Sequence, residues 1–92
     1  MLKPEYTKKF SKDVKRVIKR GLDQEELKEI IRKLIKEEPL DSKYKDHELA
    51  GNYNEHRECH IRPNWLLIYK VLDRESIIKF IRTGSHSDLF KL

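Results

Sequence analysis

The chain has a single cysteine, Cys59, in 92 residues. That excludes an intrachain disulfide and fits a reducing, cytoplasmic setting. Glycine and proline number three each, and no glycine-rich nucleotide-binding loop occurs. No apolar run is long enough to cross a bilayer and no signal-peptide pattern opens the chain, so no membrane partner is expected. Repeats and low-complexity linkers are missing as well. One domain spanning 1–92 is expected, with a core modest enough to gain from a partner.

Charge is what the sequence has in quantity. Lysine and arginine number 21 against 16 acidic residues, a formal net charge of +5. This favours an anionic partner, nucleic acid or an acidic protein, although charge of this size also serves solubility.

The hydrophobic pattern divides the chain into strands and helices. Leu2 to Glu5, with Pro4 inside it, reads as a strand at a sheet edge, where a missing N–H is tolerated. Tyr6, Phe10, Val14, Val17 and Ile18 fall on one helical face, and Gly21 closes that helix. Asp23 predicts the N-cap of a second helix, with Glu26 closing a capping box and Leu22 and Leu27 forming a staple. Its stripe is Leu27, Ile30, Ile31, Leu34 and Ile35, and Pro39 predicts a stop at about Glu38. The short link between the helices predicts an antiparallel pair. Downstream, His56 to Val71 reads as two strands around a turn at Pro63 and Asn64, and Ser76 to Thr83 as a third. Consecutive strands predict an antiparallel meander rather than a crossover fold.

Four histidines carry the available chemistry: His47, His56, His60 and His86. The two-residue period of a strand puts His56, Glu58, His60 and Arg62 on one face, and Arg57, Cys59 and Ile61 on the other. His56 and His60 would stand roughly 13 Å apart along a strand, too far to share a metal, and HRECH is not the HExxH pattern, so no metal is expected. Cys59 faces the core, where a thiol is inert. Histidine, arginine and lysine without metal or nucleophile suit one reaction well. RNA can be cut by its own 2′-hydroxyl, with a base at that hydroxyl, an acid at the departing 5′-oxygen and cations on the phosphate. His60, Arg62, Arg82 and His86 are the residues that could converge for it. A nucleic-acid-binding module with incidental histidines fits the same residues.

Three blocks in order, KDHELAG from Lys45, RECHIRPNWLLIYKV from Arg57 and RTGSHSDLF from Arg82, resemble the RelE/ParE superfamily of bacterial toxins. Within it they resemble the YafQ-like branch of ribosome-dependent endoribonucleases. The resemblance implies a small α+β fold, with an N-terminal strand and an antiparallel helix pair packed on a twisted antiparallel sheet. It implies a toxin that enters the A site of the 70S ribosome, cuts mRNA there without a cofactor, and is silenced by a cognate antitoxin. Operator DNA would be met only through the antitoxin complex. Carried over by position, His47, His60, Arg82 and His86 are the catalytic candidates, and Asn64, Trp65 and Phe90 join Arg62 as candidates for the RNA pocket. His86 is expected to be the acid and Arg82 the phosphate holder, with the base left open between His47 and His60. Trp65 is expected to support the pocket while partly exposed. Asn64 stands where the family has an acidic residue, which brings in a weakened toxin that keeps mainly antitoxin binding and regulation. A ParE-like inhibitor of DNA gyrase that cuts nothing is the other alternative.

Overall fold

The run Trp65–Leu72 is apolar at nearly every position, the pattern of a strand covered on both faces. In the computed structural model, which describes residues 1–90, it is the central strand. In chain order the elements are β1 (Lys3–Tyr6), α1 (Lys8–Lys19), α2 (Gln24–Ile35), β2 (His47–Glu48), β3 (Arg57–Arg62), β4 (Trp65–Leu72), β5 (Ile77–Gly84) and α3 (His86–Leu89). Among the described residues they form a five-stranded sheet of order β1-β5-β4-β3-β2. β2 to β5 pair antiparallel, and β1 joins the edge parallel to β5. The meander is therefore as expected, with the edge strand that Pro4 allows added beyond it. No helix of the described residues is long and apolar enough to cross a membrane.

The two faces of the sheet do different things. On one, Phe10, Val17, Leu27, Ile30 and Leu34 of the helices pack on Cys59, Leu67, Tyr69, Ile78 and Phe80. On the other, Leu66 and Ile68 meet Leu89, with Leu49, Tyr53, Ile81 and Phe90 around them. The histidines lie along this second, thinner cluster.

Local details depart from the sequence pattern where tertiary contacts intervene. Tyr6 belongs to β1 and is 51% exposed, and Ile18 is exposed too; the buried members of α1 are Phe10, Asp13 and Val17. Asp13 is buried because α1 crosses the edge of β5 just beyond the point where β1 stops pairing, at Phe80. There Thr7 Oγ1 donates to the Ile81 carbonyl (2.7 Å), and Asp13 Oδ2 accepts from the Thr83 N–H (3.1 Å). Side chains of α1 thus satisfy an edge that would otherwise be open. Asp23 caps α2 through the Glu25 N–H. The expected capping box does not form, because the Glu26 carboxylate takes Arg62 Nε and Nη2 instead (2.8 and 2.6 Å). α2 also stops before Glu38: Glu37 turns left-handed at φ 59°, and the Leu2 N–H donates to the Ile35 carbonyl (2.8 Å).

Candidate functional site

β3 aims Glu58 and His60 out of the same face, two residues apart. β2 is only two residues long, but its pairing sets His47 directly opposite Glu58. Glu58 is 5% exposed, and a carboxylate that deep needs partners. Its Oε2 lies 3.1 Å from His47 Nε2 and 3.4 Å from His60 Nε2. His47 is turned by its own loop: its Nδ1 is 2.6 Å from the carbonyl oxygen of Lys45, a residue in the left-handed conformation at φ 47°.

His86 reaches the cluster from the first turn of α3. Ser85 caps that turn, and Asp88 completes a capping box. Asn64, in the β3–β4 turn, accepts at Oδ1 from the His86 backbone N–H (3.1 Å) and lies 2.8 Å from its Nδ1. The three rings form a row, with centroids 6.1 Å apart from His47 to His60 and 5.8 Å from His60 to His86. The base of α3 is clamped from α1. Arg20 donates twice to Asp88, at 2.5 and 3.0 Å, and this pairing holds the Asp88 carboxyl well below the usual carboxylate range. Gly84 makes the bend possible: its φ is +154°, and a Cβ there would sit 2.8 Å from Asp88 Oδ2.

Arg82 shares this face. Glu58 pairs with Ile68, and Ile68 with Arg82, so two strand spacings, about 10 Å, separate the Glu58 and Arg82 backbones. Arg82 Nε and Nη2 donate to Asp13 (2.6 and 3.1 Å), and that hydrogen bonding raises the guanidinium pKa. Beyond it, Phe90 meets Tyr53 edge-on at 5.8 Å, and the three line a cavity of about 480 Å³. On the other side of His60 a cavity of about 460 Å³ is lined by Lys43, Tyr44, Lys45, Arg62 and Pro63, with Glu26.

Two pocket candidates sit differently from expectation. Trp65 is 1% exposed, and its Nε1 donates to Thr83 Oγ1 (3.0 Å). It is a core residue with no ring face open to a base, because it lies on the helix side of the sheet. Arg62 leaves the face of Glu58 and His60, because a register shift between His60 and Arg62 turns it to Glu26. Cys59 is fully buried, and burial pushes its thiol up to about 12. His56 lies apart from the row, with Nδ1 3.0 Å from the Asn54 carbonyl.

Glu58 and Asp13 are the polar residues that the sequence pattern did not single out. Glu58 had a signal, since it alternates with His60. For a metal, distance along the strand and distance across the strands differ. Spacing along the strand keeps His56 and His60 apart, but across the strands the ligand atoms of His47, Glu58 and His60 all lie within 4.8 Å of one another. Two imidazoles and a carboxylate in that arrangement can hold a divalent ion. The same groups, with His86 beside them, can also relay protons.

Solved structures with this architecture include bacterial toxins, and the fold puts the chain among them. A metal-bound toxin from Helicobacter pylori is 44% identical with a TM-score of 0.92, covering 98% of this chain and 100% of that one. YafQ in the Escherichia coli DinJ–YafQ complex is 42% identical with a TM-score of 0.89, covering 98% and 99%. The mRNA interferase toxin YafQ of Escherichia coli K12 is 44% identical over 87 residues, 94% of this chain and 92% of that protein. A profile of the bacterial toxin of type II toxin–antitoxin systems, YafQ, matches residues 2–91. The chain belongs to the YafQ toxin family.

Proposed function

We propose that this chain is a toxin endoribonuclease that cuts mRNA in the A site of the 70S ribosome, in the cytoplasm, by metal-independent attack of the RNA 2′-hydroxyl. A cognate antitoxin chain neutralises it. The mRNA interferase name of the Escherichia coli relative supports the cutting of mRNA, and the DinJ–YafQ complex supports neutralisation by an antitoxin. The observation that carries the chemistry is the placement of His60 between a buried carboxylate and His86.

The hydrogen bonds divide the roles. His47 has Nδ1 at the Lys45 carbonyl and Nε2 at Glu58, so it holds the carboxylate and has no lone pair for substrate. His60 has Nε2 at Glu58, and its Nδ1 has no protein partner among the described residues. Glu58 fixes the tautomer with the proton on Nε2, makes Nδ1 the acceptor for the 2′-hydroxyl proton, and stabilises the imidazolium that forms. His86 donates Nδ1–H to Asn64, which leaves Nε2–H of its imidazolium to protonate the departing 5′-oxygen. Asparagine at position 64 keeps this orientation without a carboxylate, which favours a working enzyme over a degraded one. Arg82 holds the phosphate as its charge grows. Phe90 and Tyr53 offer aromatic surface next to Arg82 for a base. A divalent ion held by His47, Glu58 and His60 would act as a Lewis acid there, and it would take His60 and Glu58 out of proton transfer.

The antitoxin has a surface to cover. The groove between α1 and α2, lined by Phe10, Val14, Leu27, Ile31 and Ile35 with exposed Tyr6 at its end, has a volume of about 400 Å³. Basic residues flank it, which suits an acidic or mixed-charge chain that folds on binding.

End-group analysis of mRNA cut on programmed ribosomes tests the reaction. Protein dialysed against a chelator and returned to magnesium buffer should still cut, leaving a 2′,3′-cyclic phosphate or 3′-phosphate and a free 5′-hydroxyl. A 5′-phosphate, or activity restored only by adding Zn²⁺ or Cu²⁺, would rule the mechanism out.

A further inference from the structure

We infer that Asp13 is a positioning residue for Arg82: it fixes the guanidinium side-on, so that its remaining N–H groups meet the scissile phosphate without reordering. This rests on the phosphate-holding role proposed for Arg82. Asp13 comes from α1, 69 residues away in sequence, and is 2% exposed. Both of its oxygens are fully used. Oδ2 accepts from Arg82 Nε (2.6 Å) and the Thr83 N–H (3.1 Å), and Oδ1 from Arg82 Nη2 (3.1 Å) and Arg16 Nη2 (2.6 Å). A guanidinium has five N–H donors. Two of those on Arg82 are spent here, leaving both on Nη1 and one on Nη2, with the Tyr53 hydroxyl close by.

Charge and entropy both point to orientation. One carboxylate faces two guanidinium groups, so the cluster of Asp13, Arg16 and Arg82 keeps a net positive charge for an anion. An unheld arginine would lose rotamer freedom on meeting phosphate, and here that loss is taken at folding. The same carboxylate binds the Thr83 N–H of the strand that carries Arg82. Side chain and backbone are therefore referenced to one anchor. A tether of α1 to the sheet would need only the Thr83 contact, since Thr7 already supplies a second at Ile81.

A double-substitution cycle separates positioning from tethering. Single-turnover cleavage on programmed ribosomes is measured for the parent, Asp13→Asn, Arg82→Ala and the pair, with a thermal melt of each. Asp13→Asn should slow the cleavage step about tenfold or more at saturating protein, in the range of a displaced catalytic contact, with half-saturation little changed. In the Arg82→Ala background the same substitution should cost less than about twofold, while its effect on melting is alike in both backgrounds. The ¹H–¹⁵N heteronuclear NOE of the Arg82 Nε–H should be that of a rigid group in the parent and fall in Asp13→Asn. Asp13→Glu, which keeps the charge and moves it by one methylene, should be slow as well, and it serves if Asp13→Asn does not fold. Slowing of equal size in both backgrounds, or an unchanged NOE, overturns positioning alone. A parent that does not cut, or an Arg82→Ala variant that cuts at the parental rate, overturns the role of Arg82 and this inference with it.

Discussion

Glu58 is a carboxylate in the middle of a basic chain, 5% exposed, and it touches two histidines through one oxygen. Burial without partners would cost a carboxylate several kcal/mol, so the contacts explain how it persists there. They also make it testable. Glu58→Gln preserves shape but removes the charge that, in the proposed mechanism, orients His60 and stabilises its protonated form. Single-turnover cleavage should fall by roughly 10²–10⁴, with the far-ultraviolet circular dichroism spectrum retained. A folded variant that cuts like the parent would place the base elsewhere. Asn64 works on the other histidine by the same logic, with a neutral acceptor in place of a charged one.

At the scale of elements, the site depends on pieces too short to stand alone. β2 has two residues and α3 four, and an isolated helix of that length is unstable in water. α3 is held by Leu89 in the thinner core, by the Ser85 cap and by the Arg20–Asp88 pair. Because the folded-state pKa of Asp88 is depressed, its pairing contributes stability above the ordinary aspartate pKa of about 3.9 and loses it as pH falls through the lower folded value. Arg20→Ala should therefore move acid unfolding, followed by circular dichroism, to a higher pH. At neutral pH it should loosen α3 and slow cleavage more than it lowers the melting temperature. An acid midpoint equal to the parent's would show that the pair contributes nothing.

For the molecule as a whole, much of the layout was legible and the site only partly so. The alternation of Glu58, Cys59, His60 and Ile61 assigns the faces of β3 correctly, and the stripe of α2 marks its buried side. What the pattern could not give are contacts across elements. His47 carries no period of its own because β2 is only two residues long, and only pairing with β3 sets it against Glu58. Asp13 gives no signal in the pattern of α1, because its partners are the edge of β5 and Arg82. The register shift before Arg62 breaks the period that placed it with His60, and the burial of Trp65 follows from the side of the sheet it faces.

The exposed groove of α1 and α2 gives a further expectation at this scale. Coexpression with the adjacent gene should yield a copurifying complex in which Tyr6 and Ile31 are protected from solvent, read by hydrogen exchange at the neighbouring amides. Failure to bind either neighbouring gene product would count against a toxin–antitoxin pair.

The proposed division of proton work between His60 and His86 is tested most directly by a leaving-group substitution. A 5′-bridging phosphorothiolate at the cleaved bond departs without protonation. On natural mRNA in programmed ribosomes, His86→Gln should cut roughly 10²–10⁴ more slowly than the parent. On the phosphorothiolate it should cut at nearly the parental rate, while His60→Gln stays slow on both. A His86→Gln defect of the same size on both substrates, or none on either, would contradict the assignment of His86 as the acid.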